Sequence, residues 1–208
     1  LGAQFTKWRA VITIGENIPS RTCLEANAHA LARFAALGQE AGLVPIVEPE
    51  VLMDGDHTID RHFEVTRTAL KVVFQSLFDH RINLEGMLLK PNMVLAGKDC
   101  PQQAGVTQVA EMTLRCLRHA VPVAVPGICF LSGGQSDVLA TEHLNALNQL
   151  GRVPWELSFS FGRALQAPAL KAWGGKPQNV PAAQKALHHR ASCNGAARYG
   201  NYSSEAEA

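Results

Sequence analysis

Five short apolar runs, each followed by a longer amphipathic segment, recur along this chain and leave few folds open to it. "RAVITI" (Arg9–Ile14), "LVPIVEP" (Leu43–Pro49), "LEGMLLKP" (Leu84–Pro91), "VAVPGICFLSGG" (Val123–Gly134) and "WELSFSFG" (Trp155–Gly162) have strand length and little internal polarity. Helical patterning fills the stretches between them, over about 21–41, 57–80, 108–119, 136–149 and 163–173, with one more helix over 179–192. Regular βα alternation predicts a parallel sheet whose strands are buried on both faces, in one α/β unit rather than two separate domains.

Bulk properties narrow the partners. Lysine plus arginine number 19 against 18 acidic residues, so no net field recruits nucleic acid or an anionic membrane, and any basic residue that matters acts locally. Apolar residues are 47% of the chain but never form a run long enough to span a bilayer. Five scattered cysteines (Cys23, Cys100, Cys116, Cys129, Cys193) with no Cys-x-x-Cys pair argue for reduced thiols, not a disulfide framework or a zinc site. Structure starts almost at Leu1, so the sequence reads as the later part of a larger fold. After Ser192 the composition turns to Gly, Ala, Ser and Glu, which predicts a flexible tail over 193–208.

Ligands of parallel α/β folds bind at the carboxyl ends of the strands. Those ends carry charge here. Lys7 and Arg9 flank Trp8 and share a face by alternation, as do Glu48 and Glu50 around Pro49. Lys90 closes the run "LLKPNMV". "LSGG" (Leu131–Gly134) and "SFGR" (Ser160–Arg163) end the fourth and fifth runs. The turn before a helix near Ser136 offers backbone N–H groups and a helix dipole to an anion, and Gly133 and Gly134 allow the close approach a phosphate needs. Ser-Gly-Gly also serves as an ordinary strand-to-helix turn. Arg163, directly after Gly162, adds a cation beside it.

A lysine with another lysine and a glutamate in a low-dielectric cavity suits imine chemistry. Burial and the like charge of Lys7 would favour the neutral Lys90 amine that attacks a carbonyl, and Glu48 would shuttle the protons that expel water. The plainer alternatives are a snorkelling lysine at a strand end and strand-end carboxylates bonded to basic neighbours. "DGDH" (Asp54–His57) lacks further ligands at EF-hand spacing and reads as a turn with a helix cap. His188 and His189 read as a solvated helix end, and Trp155 and Trp173 as packing residues. No metal is assigned.

"KWR" at 7–9, "VPIVEPE" at 44–50, "DGDH" at 54–57, "LEGMLLKPNMV" at 84–94, "FLSGGQS" at 130–136, "SFGRALQA" at 160–167 and "LKAWGGK" at 170–176 together resemble class I fructose-bisphosphate aldolase, the vertebrate-type enzymes in particular. The likeness runs in order to about residue 200. It implies a (β/α)8 TIM barrel of which the last five βα units are present, spanning 1–192. It also implies metal-free cleavage of fructose 1,6-bisphosphate to dihydroxyacetone phosphate and glyceraldehyde 3-phosphate through a lysine Schiff base, with no cofactor. By motif, Lys90 forms the imine, Glu48 is its acid and base with Glu50 beside it, and Lys7 and Arg9 line the sugar site. Ser132, Gly133, Gly134, Ser160, Gly162 and Arg163 match the phosphate cradle. A phosphorylated ketose as substrate, a homotetramer and a cytoplasmic location follow from the same resemblance.

Three departures stand out. The family carries three earlier strands, with an aspartate and a lysine of the site; it usually ends in a tyrosine; and it usually has tyrosine where this chain has Phe161. Five strands cannot close a barrel, so two edges and apolar surface are expected to stay open. A truncated, inactive aldolase-like protein that keeps phosphate binding or subunit contacts is therefore the alternative, and a phosphate-binding α/β protein without a reactive amine is a third.

Overall fold

The computed structural model describes residues 2–207. Among them, five strands and six α-helices alternate: β1 (Phe5–Ile12), α1 (Arg21–Glu40), β2 (Val44–Val51), α2 (Ile59–Asp79), β3 (Leu88–Leu89), α3 (Val106–Ala120), β4 (Gly127–Phe130), α4 (Asp137–Gln149), β5 (Glu156–Phe159), α5 (Arg163–Trp173) and α6 (Val180–Arg198). The strands form one parallel sheet in chain order, β1-β2-β3-β4-β5. Parallel crossovers between neighbouring strands are right-handed, so strand order that follows chain order puts every helix on the same side. This is an open arc of a βα barrel, with a helical outer face and an inner face left for side chains.

Alternation along each strand decides what faces the helices. Ala10, Val47, Leu89, Ile128 and Phe130 point outward into a core with Ala28, Leu31, Leu70, Leu77, Leu117 and Leu144, all buried. Ser20, Thr58 and Ser136 start α1, α2 and α4, each accepting a bond from the backbone N–H three residues on. Trp155 is buried and its indole N–H donates to Pro122 O at 3.0 Å, whereas Trp173 stays 42% exposed.

Three expectations change. β1 is not buried on both faces, because its outer edge has no strand neighbour: Phe5, Trp8 and Val11 are exposed, and only Ala10 and Ile12 are covered. β3 is only two residues long: on the β4 side Pro91 brings no N–H to the ladder, and towards β2 the last bond runs from Lys90 N to Val47 O at 2.8 Å. Residues 193–207 are not a separate tail. α6 continues through Arg198, and Cys193, Asn194, Ala197 and Tyr202 are buried. The small residues read as disorder-prone are the face on which α6 packs closely against α4, and the Tyr202 amide donates to Asn145 Oδ1 at 3.0 Å. Ala208 lies outside the described residues. No helix among the described residues is long and apolar enough to cross a membrane.

Candidate active site

The inner face collects five of the charged residues. In the β1–β2 register Arg9 sits opposite Glu48, and each cation reaches the carboxylate two positions further along. Lys7 Nζ lies 2.9 Å from Glu48 Oε2, and the Arg9 guanidinium binds the Glu50 carboxylate. From the other side, Lys90 Nζ lies 3.2 Å from Glu48 Oε1. One carboxylate thus bridges two lysines. Glu48 and Glu50 are almost fully buried, where an unpaired carboxylate would cost several kcal/mol, so the cations on either side are what make their burial tolerable. The Lys90 side chain is only 13% exposed and its ammonium ends on Glu48; it does not snorkel to water. The hydrogen bond it donates to Glu50 holds Arg9 still more firmly in its charged form.

The turns expected to bind an anion lie one and two strands further on. Gly133 and Gly134 have φ of +61° and +100°, a left-handed pair that only glycine adopts without strain. Among the described residues no acceptor takes the N–H groups of Gly133 or Gly134, whereas Gln135 N returns to Ser132 O at 3.0 Å. The α4 dipole contributes less to this turn than its position suggests, because Ser136 and Asp137 already cap the first N–H groups of α4. α5 supplies the open terminus instead: Gly162 precedes it with no side-chain cap. Ser160 N pairs with Phe130 O at 2.9 Å, which brings the two turns side by side, and a methyl group on Gly134 would lie 3.7 Å from the Arg163 guanidinium. Ser132, Gly133, Gly134, Ser160, Gly162 and Arg163 thus fall in one neighbourhood, with two adjacent strand ends converging.

Beneath these residues runs a buried polar layer that the sequence reading passed over. Asn92 Oδ1 accepts from Val51 N at 2.9 Å, and its amide donates to Thr66 Oγ1 and to Met93 O, both at 3.1 Å. His62, wholly buried, faces Val51 O and Leu95 N, each at 3.3 Å; burial pushes its pKa down to about 3, so it is neutral. Gln135 donates to Ser132 O at 2.9 Å and pairs with His143, whose pKa burial pushes down to about 4. The available signal was polarity inside apolar surroundings: "PNMV" after Lys90, and His143 at a core position of α4.

Other singled-out residues take structural parts. The loop carrying Asp54–His57 lies against 97–99, with Lys98 N donating to Met53 O at 2.7 Å, and Asp54 pairs with Lys98. His189 comes near Cys193 and Glu207, within 4.8 Å of one another. The Glu207 carboxylate is already held there by Arg190 and by the Tyr202 hydroxyl, so the group is an ion-pair latch between α6 and the residues after it. The five cysteines are free thiols, three of them buried.

The family pattern described as "Fructose-bisphosphate aldolase class-I" matches residues 1–208. The chain belongs to the class I fructose-bisphosphate aldolase family. A protein described as a probable fructose-bisphosphate aldolase class 1 from Xanthomonas campestris is 56% identical over 203 residues, covering 97% of this chain and 61% of its own length. The cytosolic fructose-bisphosphate aldolase 4 of Arabidopsis thaliana is 52% identical over 207 residues, covering 99% and 53%. Among solved structures, the Plasmodium falciparum fructose-bisphosphate aldolase, crystallised with TRAP and a small-molecule inhibitor, superposes with a TM-score of 0.95 at 47% identity, over 97% of this chain and 59% of that one. This member of the aldolase family thus spans roughly half to three fifths of the length of the relatives it matches, and its five parallel strands are a partial TIM barrel.

Proposed function

We propose that the intact protein cleaves fructose 1,6-bisphosphate to dihydroxyacetone phosphate and glyceraldehyde 3-phosphate through an imine on Lys90. The observation that carries this reading is the Glu48 carboxylate held between Lys90 and Lys7 on the inner face of the sheet. An ammonium 3.2 Å from a carboxylate needs one proton moved to become a nucleophile, and the carboxylate is placed to take it. The free amine attacks the C2 carbonyl and forms a carbinolamine. Glu48 then returns the proton to the C2 hydroxyl, which leaves as water, and a protonated imine remains. That cationic imine is the sink for the C3–C4 bonding pair: loss of the C4 hydroxyl proton releases the aldehyde product and leaves an enamine. Protonation at C3 and hydrolysis then free dihydroxyacetone phosphate and regenerate Lys90. Lys7, 2.9 Å from Glu48 Oε2, holds that carboxyl group in place facing Lys90.

The cradle of Ser132, Gly133, Gly134, Ser160, Gly162 and Arg163 would hold one substrate phosphate and so fix C2 over Lys90; the unpaired glycine N–H groups and the uncapped α5 terminus support that assignment. Arg9, half-exposed on the same face as Lys7, is proposed to meet the sugar or its second phosphate. Assembly as a homotetramer is part of the proposal. The cytoplasm is the proposed location, supported by the relative named as cytosolic. Triose release from fructose 1,6-bisphosphate by the intact protein, compared with its Lys90→Met variant, tests the reading: activity that disappears in the variant supports it, and equal activity in both contradicts it. An inactive, phosphate-binding relative is the alternative, and it gains if phosphate binds and no triose is released.

A further inference from the structure

We propose that Asn92 is a positioning residue that sets the distance between Lys90 and Glu48, a role that rests on the imine reading of that pair. β2 and β3 are held by a ladder that stops where it is most needed. The last backbone bond towards β2 is Lys90 N to Val47 O, 2.8 Å; the Pro91 backbone faces the other way, its carbonyl accepting from Leu131 N just past β4. Glu48 and Glu50 lie beyond that last bond, on a stretch of β2 without a backbone partner in β3. The Asn92 side chain takes over the missing rung. Its Oδ1 accepts from Val51 N, directly after Glu50, at 2.9 Å, so Lys90 and Glu48 are fixed from both ends: by Lys90 N to Val47 O before them and by Asn92 to Val51 after them.

The carboxamide is itself immobilised. Its Nδ2 donates to Thr66 Oγ1 on α2 and to Met93 O, and the side chain is almost fully buried. A carboxamide can supply an acceptor to the strand and donors to the helix at the same time, which a carboxylate, a hydroxyl or an aliphatic side chain of this size does not do without a buried charge or an unpaired group. On the adjoining side, His62 accepts from Leu95 N at Nδ1 and donates from Nε2 to Val51 O, so both backbone polar groups of Val51 are held by side chains instead of by a strand. Buried, with its carboxamide already bonded to Val51, Thr66 and Met93, Asn92 is a positioning residue that acts through Lys90 and Glu48.

The test measures, in the intact protein and its Asn92→Ala variant, the rate at which borohydride traps dihydroxyacetone phosphate on the protein, the binding of inorganic phosphate, and hydrogen exchange at the Val51 amide. Positioning predicts that Asn92→Ala lowers the trapping rate by about ten-fold or more, since small misplacements of reacting groups are costly, while phosphate affinity stays within about two-fold and Val51 exchanges faster. A trapping rate within two-fold of the parent, or an equal loss of trapping and phosphate binding, overturns it. Val51 exchange in the unsubstituted protein needs no variant to fold: protection is expected, and rapid exchange overturns the proposal. Trapping that persists in Lys90→Met would instead sink the imine reading itself, leaving that failure distinguishable from this one.

Discussion

At the scale of single residues, the site depends on one carboxylate serving two amines. Glu48→Gln keeps the shape of the side chain and removes its capacity to accept a proton, so imine trapping on Lys90 is expected to slow by about a hundred-fold or more, the usual contribution of a positioned acid or base. A rate within three-fold of the parent would remove Glu48 from the mechanism. The buried histidines give a pH signature. His62 is neutral in the fold down to about pH 3, while an unfolded histidine titrates near 6.5, so between those values the unfolded chain binds more protons. Stability conferred by the neutral ring is therefore complete above about pH 6.5 and is lost as the pH falls towards 3. At ~1.4 kcal/mol per pH unit, His62 alone removes roughly 5 kcal/mol across that window. His143 adds to the same acid limb. Urea titrations at stepped pH check this, and a His62 variant that remains folded should show a flatter limb. The charged residues were legible from alternation, which puts Lys7 and Arg9 on one face of β1 and Glu48 and Glu50 on one face of β2, with Lys90 directly after β3. Asn92, Gln135 and His143 were not, since their partners come from 8 to 41 residues away and nothing local marks the encounter.

At the scale of elements, periodicity located every strand and helix, and the errors lie at their ends. β4 and β5 are shorter than their apolar runs because the runs continue into the turns that make the cradle, where glycine geometry replaces pairing. α6 runs six residues past Ser192 because alanine, glycine and asparagine suit a close helix contact with α4 as well as they suit a loop. Two substitutions probe how these ends are held. Gly97→Ala drives a methyl into Gly55 O, a backbone atom with no freedom to swing away, so the loops carrying Asp54–His57 and 97–99 must separate. Thermal denaturation should report a loss of about 1–3 kcal/mol, the usual cost of overpacking. Ser136→Ala removes the α4 cap and should cost about 1 kcal/mol by the same measurement; no change would mean that Asp137 alone suffices.

At the scale of the molecule, five strands form an arc with two edges. β1 is the vulnerable one: eight residues long, paired on one side only, with Phe5 62% and Trp8 54% exposed. A long edge with apolar side chains recruits further strands, so these 208 residues expressed by themselves should self-associate, and Trp8→Lys should reduce the associated fraction in sedimentation velocity runs. A monodisperse monomer would show that the edge is already protected. The central claim, that Lys90 is the imine-forming amine of this fold, is tested most directly by reducing the intact protein with borohydride in the presence of dihydroxyacetone phosphate and locating the added mass by peptide mass spectrometry. The account predicts a single adduct on the peptide containing Lys90, lost in Lys90→Met. No adduct, or one on another lysine, would contradict it.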